Sequence, residues 1–169
     1  MSRLQRRVRR TRRGDYELRL PSWERDALRS LPGQLRDLLG TDDPAIGRLF
    51  PAAYQDDPDA NAEYERLMRD DLVGARQRSL EVMEATIDSG RLSEEQVVAW
   101  LGALNDLRLV LGTRLDIAEE TYDEEIPDDH PQAFLYSLYF YLGWLEEQVV
   151  EELASGVDPA GTGGQPEVD

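Results

Sequence analysis

AWLGALNDLRLVLGTRLDI, residues 99–117, is the run of the chain in which apolar side chains leave almost no polar face. A helix that is apolar on both sides has to be covered on both sides, so this run predicts the centre of the fold. Its start is marked upstream: Ser93 is an N-cap, Gln96 completes a capping box three residues on, and Leu92 and Val97 take the two positions of a hydrophobic staple. From there Val97, Trp100, Leu101, Leu104, Leu107, Leu111 and Leu115 form one stripe, with Leu109 and Val110 on the opposite side. Within it stand Asn105, Asp106, Arg108 and Arg114, polar groups that a buried helix carries only where partners answer them.

Working outward, the segments on either side supply the cover. Upstream, Asp57 and Pro58 open a helix running to Asp88, the proline occupying the first helical position where a missing N–H costs nothing. Its expected buried set is Tyr64, Leu67, Met68, Leu72, Ala75, Met83 and Ile87, with Gly74 marking a close neighbour. Before it, residues 41–57 carry Leu49, Phe50 and Tyr54, which a loop is expected to lay over the core as a lid. Ser22 reads as the N-cap of a helix reaching Gly40, kinked or restarted at Pro32 and Gly33. Alternation of Tyr16, Leu18 and Leu20 with Glu17 and Arg19 predicts a strand, paired as a hairpin with a first strand around Val8.

Downstream, residues 116–130 hold eight acids around Ile126 and Pro127, and a last helix starts near Pro131. Leu135, Leu138, Leu142, Leu145, Val149 and Leu153 are its stripe. Phe134, Tyr136, Tyr139, Phe140, Tyr141 and Trp144 flank that stripe, more aromatic surface than one helical face hides. The expected architecture is mainly α: a compact bundle of four to five helices around a central buried helix at about 93–117, with a short N-terminal β-hairpin packed on it. Residues 1–13 are an Arg-rich arm or the first hairpin strand, 14–154 a single helical domain, and 155–169 a tail disordered by composition.

Composition narrows the chemistry. The net charge of -16 is uneven: seven of the 19 arginines precede Gly14, leaving 12 against 35 acids in the rest. There is no cysteine, so disulfides, thiolate nucleophiles and thiol redox switching are excluded, as a reducing cytoplasm would have it. The single histidine, His130, offers no triad, and neither a Walker A loop nor a Gly-x-Gly-x-x-Gly run occurs, so no cofactor is expected. The acidic loop lacks the order of an EF-hand, and no metal is expected there. The longest charge-free run, 131–145, is too short to span a bilayer and no signal peptide is visible, so a soluble, cytoplasmic protein is expected.

Three groups of residues carry the functional readings. Asn105, Asp106, Arg108 and Arg114 are a buried polar network fixing helix register, or alternatively an anion site. Tyr139, Tyr141 and Trp144 are core and hairpin cover, or a face for a protein partner. Arg6, Arg7, Arg9, Arg10, Arg12 and Arg13 could contact nucleic-acid phosphates, an acidic partner or the protein's own acidic body.

RLFPAAYQDDP (48–58), AEYERL (62–67), WLGALNDLRLVLGTRL (100–115) and YFYLGWLEEQVV (139–150) resemble an actinobacterial family of small helical proteins known only as a domain of unknown function, number twenty-seventeen. The resemblance spans about residues 3–154, and NDLRLVLGTRL is its specific part. It implies a compact helical cytoplasmic protein, often encoded beside the adaptor of the Clp protease, and supplies no catalytic residue. Where a thiol-based oxidative-stress role is suggested for such proteins, this chain departs from the pattern by having no cysteine.

The leading expectation is therefore a non-enzymatic regulatory or adaptor protein that binds another protein, or a second copy of itself. The alternatives are a DNA-associated transcriptional regulator using the arm, and a small anion-binding module around Arg108 and Arg114. No membrane contact is expected.

Overall fold

The computed structural model describes residues 5–51 and 53–157, so the expected disorder over 158–169 and Arg3 of the arm lie outside the described residues. The two-sided apolar run forms the body of α4 (Glu94–Arg114), and the start of this helix is as the residues dictate. The Ser93 hydroxyl accepts from the Gln96 N–H at 3.1 Å while the Gln96 side chain accepts from the Ser93 N–H at 2.9 Å. Val97, Trp100, Ala103, Leu104, Leu107 and Val110 are buried, and α4 is covered on both flanks. One cover is α3 (Pro58–Thr86), the other α5 (Ala133–Ser155), and a 3-10 turn at Pro44–Leu49 closes a third side. The buried indole of Trp100 donates to the Thr86 hydroxyl of α3 at 2.8 Å, leaving no orphaned N–H in the core.

Pro32 restarts the first helix, as expected: α1 (Ser22–Arg29) and α2 (Leu31–Leu39) are separate, with Pro32 in the first turn of α2. Ser22 is the first helical residue rather than the cap, because Pro21 takes the N-cap position and makes no side-chain bond. Asp57 does cap α3, accepting from the Ala60 N–H at 3.1 Å.

Two expectations fail along α3. Leu67 and Met68 are 64% and 37% exposed; burial is confined to the C-terminal part, at Leu80, Met83 and Thr86, followed by Ile87. The cause is length: 29 residues reach about 44 Å, well beyond the 21-residue helix they pack on. Gly74 meets the Arg78 side chain of its own helix, not a crossing element. The lid is partly as expected, with Leu49 buried and Phe50 half-buried, while Tyr54 is exposed and edge-on to Tyr64.

The hairpin becomes a three-stranded antiparallel sheet in the order β1 (Val8–Arg10), β2 (Tyr16–Leu18), β3 (Arg91–Leu92). Val8 pairs with Leu18 and Tyr16 with Leu92, so one face presents Val8, Tyr16, Leu18 and Leu92 to the core. Gly14 takes φ +88° in the turn, a backbone conformation that favours glycine. Among the described residues, no helix is long and apolar enough to cross a membrane.

Gly112 sets how closely α5 approaches α4. A Cβ there would stand 2.9 Å from the Tyr139 ring, which is buried and tied through its hydroxyl to Tyr122 at 2.8 Å. At Gly102 the nearest atom would be Ser79 Oγ at 3.5 Å, an ordinary contact. Gly112→Ala is therefore expected to lose about 1 kcal/mol net, overpacking outweighing the gain in helix propensity. Gly102→Ala should be neutral or stabilising. Urea unfolding of the two variants checks the pair.

Candidate functional site

The four polar residues of α4 do not converge. Asp106, fully buried, is ion-paired with Arg76 of α3, whose second nitrogen donates to the Leu49 carbonyl at 2.8 Å. Burial pushes the Asp106 carboxyl up, and the Arg76 hydrogen bond and charge offset part of that rise. Arg108 Nε stands 2.9 Å from Glu146 of α5, but its N–H is not aimed along that line, making this an ion pair and not a hydrogen bond. Burial likewise raises the Glu146 carboxyl, against the pull of Arg108. Arg114 lies 3.4 Å from Asp43, with both side chains substantially exposed, and Asn105 is half-buried. Three neighbouring elements are thus each tethered separately to α4, and both arginines already face an acid.

The arm and the aromatic helix meet instead. Arg7 wraps the Glu24 carboxylate, with Nε 3.1 and 2.9 Å from its two oxygens and Nη2 2.7 Å from Oε1. The Tyr141 hydroxyl donates to Glu24 Oε2 at 2.8 Å. Glu24 is 2% exposed, and it sits in the first turn of α1, where the helix dipole favours an anion. The Arg7 guanidinium lies 5.6 Å from the Trp144 ring centroid. Further along α5, Gln148 Oε1 accepts the Arg7 and Val8 amides at 2.8 and 3.4 Å. Glu152 accepts the Arg10 amide at 2.9 Å and pairs with Arg6, which also reaches Glu151 at 2.7 Å. Arg9, Arg12 and Arg13 are exposed.

Tyr139, Tyr141 and Trp144 consequently do not form an open face. Tyr139 is buried beneath α4, its phenol pushed up to about 12 by burial and its bond to Tyr122. Burial also raises the Tyr141 phenol, which the Glu24 bond holds protonated. On α5 and the loop before it, the aromatics that face solvent are Phe134 (68% exposed), Tyr122 (57%) and Phe140 (38%), with Tyr122 edge-on to Phe140 at 5.6 Å. Glu24, Gln148 and Glu152 were legible as acids and amides but not as a clamp. The available signal is spacing: Trp144, Gln148 and Glu152 recur every fourth residue, one stripe of α5 turned toward β1. Among the described residues no group of three or more His, Asp or Glu is placed to hold a metal ion.

Glu24→Ala leaves Arg7 and Tyr141 without their acceptor in a dry site, and is expected to cost about 3–5 kcal/mol in urea unfolding, with Glu24→Gln losing less. Asp106 gives a pH signature. Because its folded pKa is raised, the native state holds a proton that the unfolded chain has released, and stability falls as pH rises through that window. Asp106→Asn lacks this titration. The wild type should therefore gain on the variant as pH drops toward the ordinary carboxylate range, whereas a gap constant with pH would contradict the assignment.

A family profile described as a domain of unknown function (DUF2017) matches residues 5–153. The oxidative stress regulator AosR of Mycobacterium tuberculosis strain H37Rv is 33% identical over 125 residues, covering 64% of this chain and 57% of that protein. The Mycobacterium bovis protein of the same name has the same identity and coverage. A Mycobacterium leprae relative is 32% identical over 126 residues, covering 64% of this chain and 58% of its own length. The chain thus spans less than two thirds of the length of these relatives. No solved structure matches it. With nearly the whole helical body and the sheet inside the matched range, the chain belongs to the DUF2017 family.

Proposed function

We propose that this is a non-enzymatic regulatory protein that acts in the cytoplasm by contact with another protein, through the exposed aromatics at the start of α5 and the loop before it. The observation that carries the reading is the split among the aromatics. Tyr139, Tyr141 and Trp144 are consumed by the core and the arm, while Phe140 and Tyr122 of the acidic loop face water edge-on to each other and Phe134 is exposed in the first turn of α5. Exposed apolar patches of this kind mark contacts, and the surrounding acids favour a partner face that is apolar at its centre and basic at its rim. The relatives' name, oxidative stress regulator, supports a regulatory role. In this chain any such response has to run through groups other than thiols. The inventory supports a non-enzyme: His130 is the lone histidine, and its Nδ1 accepts the Gln132 amide at 3.0 Å.

A second reading, contact with nucleic-acid phosphates, draws on the exposed Arg9, Arg12 and Arg13. It has fewer charges to work with than the arm's composition suggests, since Arg6 and Arg7 are committed to carboxylates. An anion site on Arg108 and Arg114 is not favoured, because Glu146 and Asp43 already face them.

Co-purification from native lysate with quantitative mass spectrometry tests the first reading. A protein retained by the wild type and by Trp23→Ser, an exposed aromatic elsewhere, should fall at least about tenfold with Phe134→Ser/Phe140→Ser. Equal recovery would sink it. Arm deletion is a poor probe of the second reading because Val8 belongs to the core. A low-salt gel shift abolished by Arg9→Gln/Arg12→Gln/Arg13→Gln would favour nucleic acid instead.

A further inference from the structure

The N-terminal half of α3 and the loop after the Pro44–Leu49 turn enclose a groove of about 340 Å3, walled by Leu49, Phe50, Tyr64 and Leu72, with Arg69 and Arg76 at its side. Both guanidinium groups lie against Phe50, 5.1 Å from the ring centroid for Arg69 and 5.4 Å for Arg76. Arg76 is already answered, by Asp106 and by the Leu49 carbonyl. Arg69 is half-buried and has no acidic group within 4 Å among the described residues. Glu65, one turn back, lines the same groove but accepts from Asn61 at 3.4 Å and stands beyond that reach.

Two cations thus converge on a single ring with one counter-ion, Asp106 on Arg76, between them, in a chain whose acids outnumber its arginines 35 to 19. An arginine left unanswered in such company, beside a groove with apolar walls and few convergent polar groups, has the layout of a small-molecule site, and the volume lies in the range such sites occupy. We propose that the groove binds a small carboxylic acid with an apolar body, its carboxylate on Arg69 and its apolar part against Phe50, Tyr64 and Leu72. One negative charge fits better than a phosphate, because Glu65 lines the same groove and repels a second, and the walls are mainly apolar. The site is separate from the α5 surface and goes beyond the partner-binding reading.

Titration of the 15N-labelled full chain tests it, with phenylacetate as the probe, 2-phenylacetamide as its uncharged counterpart and inorganic phosphate as a charge without an apolar body. Saturable amide shifts centred on Phe50, Tyr64 and Leu72 are expected with phenylacetate, and binding at least about tenfold weaker with the other two. Arg69→Gln should erase that preference, while Arg78→Gln, an exposed arginine on the same helix, should keep it. Equal saturation by the amide, unchanged binding in Arg69→Gln, or no shift of these amides at about 10 mM phenylacetate would overturn the proposal.

Discussion

A helix apolar on both flanks cannot meet water on either, and this constraint at α4 sets the positions of the other elements. With buried positions running from Asp106 and Val110 through Trp100 and Val97 to Gly112, about two thirds of its circumference, one partner helix is not enough. The chain meets the demand with α3 on one side and α5 on the other, and fills the remaining gap with Ala45, Ile46 and Leu49 of the 3-10 turn. Polar residues on such a helix are tolerable only as tethers. Asp106, Arg108 and Arg114 each send their charge to a different neighbour, so they fix the register of three contacts and create no common site.

The same logic of paired charge governs the N-terminus. Glu24 is the most enclosed carboxylate of the clamp, and an ionised carboxylate can be buried only when its lone pairs are taken. Arg7 and Tyr141 take them, while Gln148 and Glu152 occupy the backbone donors of Arg7, just before β1, and of Val8 and Arg10 within it. The outer edge of the sheet is thereby closed by side chains of α5. Sheet and bundle become one body, with the aromatic surplus of α5 largely spent on that junction.

Much of this was legible because local signals agreed with the tertiary outcome. Ser93 with Gln96, Asp57 with Pro58, and the two-sided run of α4 each specify a local structure on their own, and each is found where expected. The misses share a different origin. Leu67 and Met68 keep perfect helical spacing, but spacing does not encode whether a neighbour extends far enough to cover them. Arg91–Leu92 is too short to show a period, so β3 exists only because β2 lies alongside. The clamp joins residues more than 100 positions apart, Arg7 to Gln148 and Glu24 to Tyr141, and no local pattern reports such pairing.

The arm shows how far composition can mislead about function. Seven arginines without an acid look like a nucleic-acid tail, yet freeing Arg6 and Arg7 for phosphates means removing β1 from α5. That exposes Val8, worth roughly 1.5 kcal/mol or more of burial, and strands Glu24 as an uncompensated buried charge, a loss of several kcal/mol more. A phosphate backbone in salt offers each arginine less than the dry, bidentate acceptor it would give up. Among the described residues of the arm, the charges available without unfolding are therefore Arg9 of β1 and Arg12 and Arg13 of the turn, set on a body whose overall charge is strongly negative. The arm is thus held as part of the fold before it can serve any partner.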